Sequence, residues 1–406
     1  MLSSMILLRT DGNPAAFDSG SVPDMIHLLR RHLGMDIAFV SEFTERTRDI
    51  KVVDTDEEDC LIRPGVCTPI EETYCKLIIE HRLPPLMPDV RDFPIAAMLP
   101  ITAALKIGSY VAAPIRLADG AVYGTFCCYS HEAEPSLNKR DLAMMQVCAE
   151  MTAKQLDKER QETCRRRAIQ EKISAILLGG DISTVFQPIH DLQARKVVGF
   201  EALSRFSVDP KEPPDALFNE AHSVGMGVEL EAETIRRGLT GLQHFAPDVY
   251  VSVNISPETI LSPLFKDIFD NVPAERVTLE ITEHAAIEKY QELESLLRPI
   301  RARGLKLAVD DAGAGYASFR HILRLAPDRI KLDSSLTRNI DTDPTRRALI
   351  AAFVRFAEDT GAKLIAEGVE TETELQALQT LGVAKAQGFF LSRPLPLAQA
   401  VELLRS

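Results

Sequence analysis

Val277-Thr278-Leu279-Glu280-Ile281-Thr282 and Leu305-Lys306-Leu307-Ala308-Val309-Asp310, joined by the helical pattern of Lys289 to Gly304, set the period that decides the fold. Each is a short apolar, strand-like run with a carboxylate near its end, and the stretch between them is long enough for the crossover that parallel strands require. The same period extends outward in both directions. Strand-like runs lie at Thr184 to Asp191, Val197 to Arg205, Val249 to Ser256, Arg329 to Asp333, Lys363 to Glu367 and Ala386 to Leu391. Amphipathic patterns lie at Pro214 to Gly241, Pro257 to Asn271, Tyr316 to Leu325, Asp343 to Gly361, Thr371 to Gly382 and Pro396 to Arg405. Eight strands over about 230 residues, the first two adjacent as in a hairpin, predict an α/β fold of the TIM-like (β/α)8 barrel type with an irregular start. A doubly wound open sheet is the second architecture that fits the pattern.

The polar residues fall at one phase of this period. Glu201 lies in the second run, Asn254 near the end of the third, Glu280 near the end of the fourth and Asp310-Asp311 at the end of the fifth. Lys331 lies in the sixth, Glu367 at the end of the seventh and Gln387 in the eighth, so neighbours are 20 to 53 positions apart in sequence. In a barrel such strand ends converge on the C-terminal rim. A single acid ending a strand is ordinarily a helix N-cap or a surface charge, but several of these are followed by Ala, Ile or Gly rather than by a helix start. Five carboxylates in one bowl repel one another and call for cations, and hard oxygen donors select Mg²⁺ or Mn²⁺. Glu201, Asn254, Glu280 and Asp310 can form one oxygen cage, with Asp310 bridging to a second ion held by Asp311 and Glu367. Two ions ~3.5 to 4 Å apart suit phosphodiester hydrolysis, with Lys331 supplying a fixed positive charge beside the reacting phosphate.

Composition narrows the partners. The 406 residues include 59 acidic and 46 basic side chains, a formal net charge of −13, so no overall field draws the chain to nucleic acid polymers or anionic lipid. Met5-Ile6-Leu7-Leu8 is too short for a signal-peptide core, and no apolar run approaches the ~18 residues of a membrane span, which predicts a cytoplasmic protein with no membrane contact. Cysteines stand at 60, 67, 75, 127, 128, 148 and 164 and nowhere beyond. An odd number without an export signal points to reduced thiols, and their asymmetry marks a domain seam.

Phe186-Gln187-Pro188-Ile189, Glu201-Ala202-Leu203-Ser204-Arg205, Val253-Asn254-Ile255-Ser256, Leu279-Glu280-Ile281-Thr282-Glu283, Asp310-Asp311, Ile330-Lys331-Leu332-Asp333, Ala366-Glu367-Gly368-Val369-Glu370 and Gln387-Gly388-Phe389-Phe390 resemble the EAL-domain cyclic-di-GMP phosphodiesterases. The resemblance runs over residues 174–406 with every motif in order. It implies a modified TIM barrel with an antiparallel first strand and metal-dependent hydrolysis of cyclic di-GMP to 5′-pGpG. It also implies that Glu201, Asn254, Glu280, Asp310, Asp311 and Glu367 are metal ligands, with Lys331 facing the water or phosphate and Glu367 a candidate general base. Gln187, Leu203, Arg205, Asp333 and Gln387 fall where the family contacts substrate or supports the site, and Glu283 where it anchors a loop. That loop departs from the family pattern, reading Asp310-Asp311-Ala312-Gly313-Ala314-Gly315-Tyr316-Ala317-Ser318 where a phenylalanine and two hydroxyl residues are usual. Phe206 replaces a frequent tryptophan. Gly179-Gly180-Asp181-Ile182-Ser183 lacks the acidic fourth residue of a diguanylate cyclase signature and reads as a turn before the barrel. A catalytically silent cyclic-di-GMP receptor and a protein-interaction adaptor are the alternative functions.

Residues 21–155 read as an α+β domain. Met25, Leu28, Leu29, Leu33 and Met35 follow helical spacing, and Asp119-Gly120 joins two apolar runs as a hairpin turn. Glu72-Thr73-Tyr74-Cys75, the hairpin Tyr110 to Tyr129 and the helix from Leu142 resemble a GAF domain, implying a sensory role with a small-molecule or redox input. Cys60, Cys67 and Cys75 lack the tight spacing of a metal motif and read as small buried thiols, ahead of redox sensing, cofactor attachment or haem ligation by His81 or His131. The helix continues through residues 156–173, rich in both charges, as a solvated or dimerising linker. That linker, and the family's tendency to pair through the barrel, predict a homodimer.

Overall fold

Strand alternation sorts the side chains of the barrel before any helix packs on it. Leu279 and Ile281 of one strand join the apolar shell beneath the helices, and Glu280 between them takes the opposite face, toward the interior. The computed structural model describes residues 7–8, 22–207, 212–282, 289–313 and 317–405. They divide into two units, Met1–Arg165 and Arg166–Ser406.

In the second unit the strands are β1 (Ile182–Asp191), β2 (Lys196–Phe206), β3 (Tyr250–Asn254), β4 (Val277–Thr282), β5 (Lys306–Ala312), β6 (Arg329–Leu332), β7 (Lys363–Ala366) and β8 (Lys385–Ala386). They pair in sequence order, and β8 pairs with β1 through Ala386 and His190, which closes the barrel and removes the open-sheet alternative. The pairings from β2 to β8 are parallel; β1 runs antiparallel to both neighbours. The β1–β2 hairpin follows from Asp191, whose Oδ1 accepts from the N–H groups of Gln193 and Ala194 and turns the chain. Phe186, Phe200 and Phe245 pack as an aromatic cluster under the helices, with ring centroids 4.5 to 6.3 Å apart.

Three elements differ from the sequence expectation. The pattern Pro214 to Gly241 is two helices, Pro214–Ser223 and Gly227–Leu239, because the chain turns at Gly225 with φ of 81°. The pattern Pro257 to Asn271 is likewise two, Pro257–Leu261 and Leu264–Phe269, interrupted at Pro263. The eighth strand stops at Ala386 because residue 388 lies against the backbone of Val369; a Cβ there would sit 2.2 Å from the Val369 nitrogen. The chain therefore wraps around that contact, with Phe390 N–H donating to the Val369 carbonyl, and does not extend.

The caps are as the pattern implies. Asp343 caps Pro344–Thr360, which ends on Gly361 in the left-handed region, and Thr371 with Glu374 forms a capping box on Glu372–Thr380. Thr371→Ala should destabilise the barrel by about 1 kcal/mol without altering its active-site residues, read as a lowered denaturation midpoint of the barrel transition. An unchanged midpoint would show that Glu374, which also accepts from Asn339 N–H, holds this helix end alone.

The first unit is an antiparallel sheet in the order Leu7–Leu8, Val66–Pro69, Thr47–Thr55, Ile37–Phe43, Val122–Ser130, Ser109–Arg116, Leu86–Met87. Its Asp119-Gly120 turn is as expected, with φ of 84° at the glycine. Both faces are covered. Ile37, Phe39, Tyr110, Cys127 and Tyr129 face the short helix Tyr74–Ile79, and Ala38, Val40, Val111, Phe126 and Cys128 face helix Val22–Leu33. Both ring nitrogens of His131 are engaged, by Glu57 and by the Lys106 carbonyl. A single 41-residue helix, Lys139–Gly179, gives Met145, Ala149, Ala153 and Leu156 to this unit's core and Ile169, Ile173 and Ile176 to the barrel unit's. Residues 160–168 between these groups are exposed all round. The helix stops at Gly179, and Gly180 turns with φ of 78°. No helix of the described residues is long and apolar enough to cross a membrane.

Candidate active site

Lys331 organises the barrel mouth. It stands in β6, 1% exposed, and its Nζ lies 2.7 Å from Glu280, 2.8 Å from Glu367, 3.1 Å from Asp310 and 3.4 Å from Glu201. Those four acids come from β4, the end of β7, β5 and β2. Glu201 is held from its other side: Asn254 Nδ2 donates to its Oε1 at 3.3 Å and Gln387 Nε2 to its Oε2 at 2.7 Å. Gln387 also donates to Gln187 of β1 at 3.0 Å, so the antiparallel first strand is tied to the bowl by amides.

Adjacent residues of a strand normally face opposite sides, so Asp310 and Asp311 cannot both reach the bowl from a regular β5. The strand is irregular there. Its register to β6 shifts between Val309 and Ala312, and Asp311 has φ of 56°, a left-handed conformation rare outside Gly and Asn. The outcome is that Asp310, Asp311 and Glu367 each place a carboxylate oxygen within 4.8 Å of the others, and Glu201, Glu280 and Asp310 do the same. Asp310 belongs to both groups.

The electrostatics are lopsided. Five carboxylates face one ammonium. Burial pushes the Glu280 carboxyl up to about 8, with Glu201 and Asp310 adding to the effect and Lys331 opposing it. Burial likewise raises Glu367 well above the usual carboxylate range. Lys331 is raised well above its ordinary value, since the four acids outweigh the burial that would lower it. Glu280 Oε1 is buried with no hydrogen-bond partner. Excess buried negative charge and an orphaned buried oxygen are features that a divalent cation with oxygen ligands satisfies.

A cavity of about 360 Å³ opens above this cluster and is lined by Gln187, Glu201, Leu203, Asp310, Lys331, Glu367 and Gln387 among the residues expected from sequence. Asn254 and Glu280 join it through Glu201 and Lys331. Two residues lie apart. Arg205 is exposed at the end of β2, donates to its neighbour's carbonyl, and lines an adjoining cleft of about 460 Å³ with Leu203, Asn254 and Thr282. Asp333 caps the short helix Ser334–Thr337, its carboxylate accepting from Ser335 N–H at 3.0 Å. Glu283 and the loop residues Ala314, Gly315 and Tyr316 lie outside the described residues. Ala312 is fully buried in the shell core against Leu332, on the side opposite the carboxylates.

Sequence reading missed several residues. Ser334, Arg338, Gly368, Glu370 and Phe389 also line the cavity, with Arg338 and Glu370 paired at 2.8 Å. Gly368 takes φ of 65°, and a Cβ there would meet the Ser334 side chain at 2.5 Å, so a glycine directly after the strand-end Glu367 was the available signal. Glu231 holds the turn after β3 by accepting from both the N–H and the hydroxyl of Ser256. Within a helix, nothing marks that glutamate from a solvated one.

A closed (β/α)8-type barrel with its acids gathered at the strand ends is the enzyme-like class that fold and site together define. Residues 166–394 match the EAL domain model, more than half of the chain, and the chain belongs to the EAL domain family; residues 22–156 match the GAF domain model. The chain is similar to the probable cyclic di-GMP phosphodiesterase PdeN of Escherichia coli (strain K12), 33% identical over 232 residues that cover 54% of this chain and 45% of PdeN. It is 29% identical to the probable cyclic di-GMP phosphodiesterase PdeI of the same organism, over 53% of this chain and 29% of that one. It thus spans less than half the length of these curated relatives. Among solved structures, a manganese/cyclic-di-GMP complex of Klebsiella pneumoniae BlrP1 is 30% identical with a TM-score of 0.50, over 55% of this chain and 58% of BlrP1. The Xanthomonas citri FimX EAL domain, solved with cyclic di-GMP, shares the fold at 22% identity and TM-score 0.53, over 58% of this chain and 97% of that solved domain.

Proposed function

We propose that this protein hydrolyses cyclic di-GMP to 5′-pGpG with two divalent cations, Mg²⁺ or Mn²⁺, in the barrel formed by residues 174–406. The observation that carries the reading is the five-carboxylate cluster around Lys331 at the strand ends of an EAL-family barrel. The donor set fits the ions: all-oxygen ligands, two overlapping groups sharing Asp310, and a net negative charge that Lys331 alone cannot balance. Glu201, Asn254, Glu280 and Asp310 would hold one ion, and Asp310, Asp311 and Glu367 the other. Bound there, the ions would lower the pKa of an attacking water and neutralise charge on the scissile phosphoryl group.

The chain's own side chains do the rest. Water attacks one phosphorus, the P–O3′ bond breaks, and the ring opens to a linear dinucleotide. Glu367, largely buried in the cavity lining, accepts the water's proton, and Lys331 holds positive charge beside the phosphoryl oxygens. Leu203 presents an apolar wall to the substrate, Gln187 and Gln387 present amides, and Arg205 reaches the non-scissile phosphate from the adjoining cleft as a bidentate donor. Asp333 acts through the helix that carries Ser334 into the cavity. Residues 21–155 serve as the sensory domain and 156–173 as the linker of a cytoplasmic homodimer.

Full-length protein incubated with cyclic di-GMP is expected to yield 5′-pGpG, identified by chromatography and mass, only when Mg²⁺ or Mn²⁺ is supplied. Intact substrate together with calorimetric binding would replace the enzyme by a silent receptor, and no binding would reduce it to an adaptor. Control by the first unit predicts that residues 166–406 alone, which keep Ile169 and Ile173 in the barrel unit's core, turn over at a rate different from that of the full chain.

A further inference from the structure

The first unit buries an ionisable group that its fold does not balance. Arg48, in strand Thr47–Thr55, is 3% exposed, its Nε has no hydrogen-bond partner, and among the described residues it forms no ion pair with a carboxylate. A buried guanidinium left so is costly. What it does meet is sulfur: Arg48 Nη1 donates to Cys75 Sγ at 3.9 Å, with the Phe39 ring 5.4 Å from the guanidinium carbon. Cys75, at the start of helix Tyr74–Ile79, is wholly buried, and its Sγ lies 3.7 Å from Cys127 Sγ and 3.4 Å from the Tyr110 hydroxyl. Cys127 in turn is 3.1 Å from Thr125 Oγ1, which bonds Ser41.

We propose that Cys75 and Cys127 form a peroxide-oxidisable dithiol, Cys75 being the attacking thiolate stabilised by Arg48 and Cys127 the resolving thiol. The proposal does not rest on the hydrolytic activity of the barrel. The two sulfurs divide the roles by environment. Burial raises a thiol's pKa, but the hydrogen bond from Cys127 and the Arg48 charge outweigh it at Cys75, which falls well below the ordinary thiol value; Cys127 is driven well above it, by burial and by Cys75 itself. The charged or titratable groups facing Cys75 are Arg48 from its strand, Tyr110 and Cys127 from theirs, and on its own helix the stacked Tyr74, its ring 4.7 Å from that of Tyr110.

The chemistry balances with a hydroperoxide as oxidant. The Cys75 thiolate attacks one oxygen of hydrogen peroxide, the O–O bond breaks, and sulfenic acid forms with release of water after proton uptake. The Cys127 sulfur then attacks the Cys75 sulfur, expelling hydroxide that leaves as water with the Cys127 proton. Two thiols and one peroxide become one disulfide and two waters. Bond formation at ~2.05 Å requires the sulfurs to close by ~1.7 Å, within reach of side-chain rotation. Both sulfurs are buried, so peroxide enters as the six-residue helix Tyr74–Ile79 opens, and the oxidation is slow beside that of the exposed Cys164.

The test uses full-length protein carrying Cys164→Ser, which removes the exposed thiol, treated with hydrogen peroxide under native conditions and mapped by mass spectrometry. A Cys75–Cys127 linked peptide is expected before any other. In Cys127→Ser, Cys75 should be trapped by dimedone as the sulfenic acid, and in Cys75→Ser no Cys127 adduct should form. Arg48→Met should slow oxidation at neutral pH about tenfold and move the midpoint of its pH profile upward, with Arg48→Lys restoring both. Oxidation of a different pair, absence of the dimedone adduct in Cys127→Ser, or a pH profile identical in Arg48→Met would overturn the assignment.

Discussion

Glu201→Ala should lower the rate of cyclic di-GMP hydrolysis by about 10³-fold or more, the scale on which loss of a preorganised electrostatic partner is felt. Glu201 is the point where three things meet. It faces Lys331, it is oriented by Asn254 and Gln387, and it stands with Glu280 and Asp310 in one of the two oxygen groups. Alanine removes the oxygens, takes the acceptor from the Asn254 amide and leaves the Gln387 amide with Gln187 alone, so loss of geometry and loss of charge would be confounded. Glu201→Gln separates them, because it keeps the side chain's shape and an acceptor for Gln387 while discarding the charge. It is expected to be as inactive as the alanine variant. Turnover retained in either variant, after stripping and reloading with Mn²⁺, would sink the assignment of this group as the first cation cage.

Lys331→Met should do something a purely catalytic residue would not. In ion-free protein it takes the only ammonium among the described residues out of a cluster in which Glu280, Glu367, Asp310 and Glu201 all lie within 3.4 Å of it. Breaking a buried ion pair by deleting one partner costs about 3 to 5 kcal/mol, because the remaining charges stay buried without compensation. The barrel transition should therefore fall markedly in chelator-treated variant and be largely restored by Mg²⁺ or Mn²⁺, which supply the missing positive charge. Hydrolysis should remain depressed by at least ~10²-fold even with ions present, since the fixed charge beside the phosphate is gone. An ion-free variant as stable as the wild type would mean that Lys331 does not balance the bowl.

The two substitutions probe a site much of which was visible in sequence for one physical reason. A strand ends where it ends because its apolar run stops, and in a closed barrel all such ends share one rim, so Glu201, Asn254, Glu280, Asp310 and Glu367 could be grouped before any coordinate was known. Grouping is not orientation. Arg205 and Asp333 are near the rim in sequence phase, but the one lines a neighbouring cleft and the other caps a helix, outcomes set by side-chain contacts that no periodicity encodes. Gly388 shows the same limit for the fold itself: an apolar run reads as a strand until the chain meets the Val369 backbone, and then it turns.

The first unit divides in the same way. Its hairpin and its alternating strands were legible because both depend on residues close in sequence, Asp119-Gly120 among them. The convergence of Arg48, Cys75 and Cys127 was not, because these residues come from two strands and a helix, and their spacing of 27 and 52 positions resembles no motif.

By itself the sequence determined the order of elements, the (β/α)8 period, the acidic rim and the division of cysteines, all of which follow from local pattern and from chain connectivity. Only the tertiary structure decided that β8 closes on an antiparallel β1, that an irregular β5 brings two adjacent aspartates to one bowl, that Lys331 sits among four acids, and that a buried arginine faces a pair of thiols. Each of these depends on which side chains meet across distant segments, and that is settled by packing and charge balance in the folded chain rather than by any neighbour in sequence.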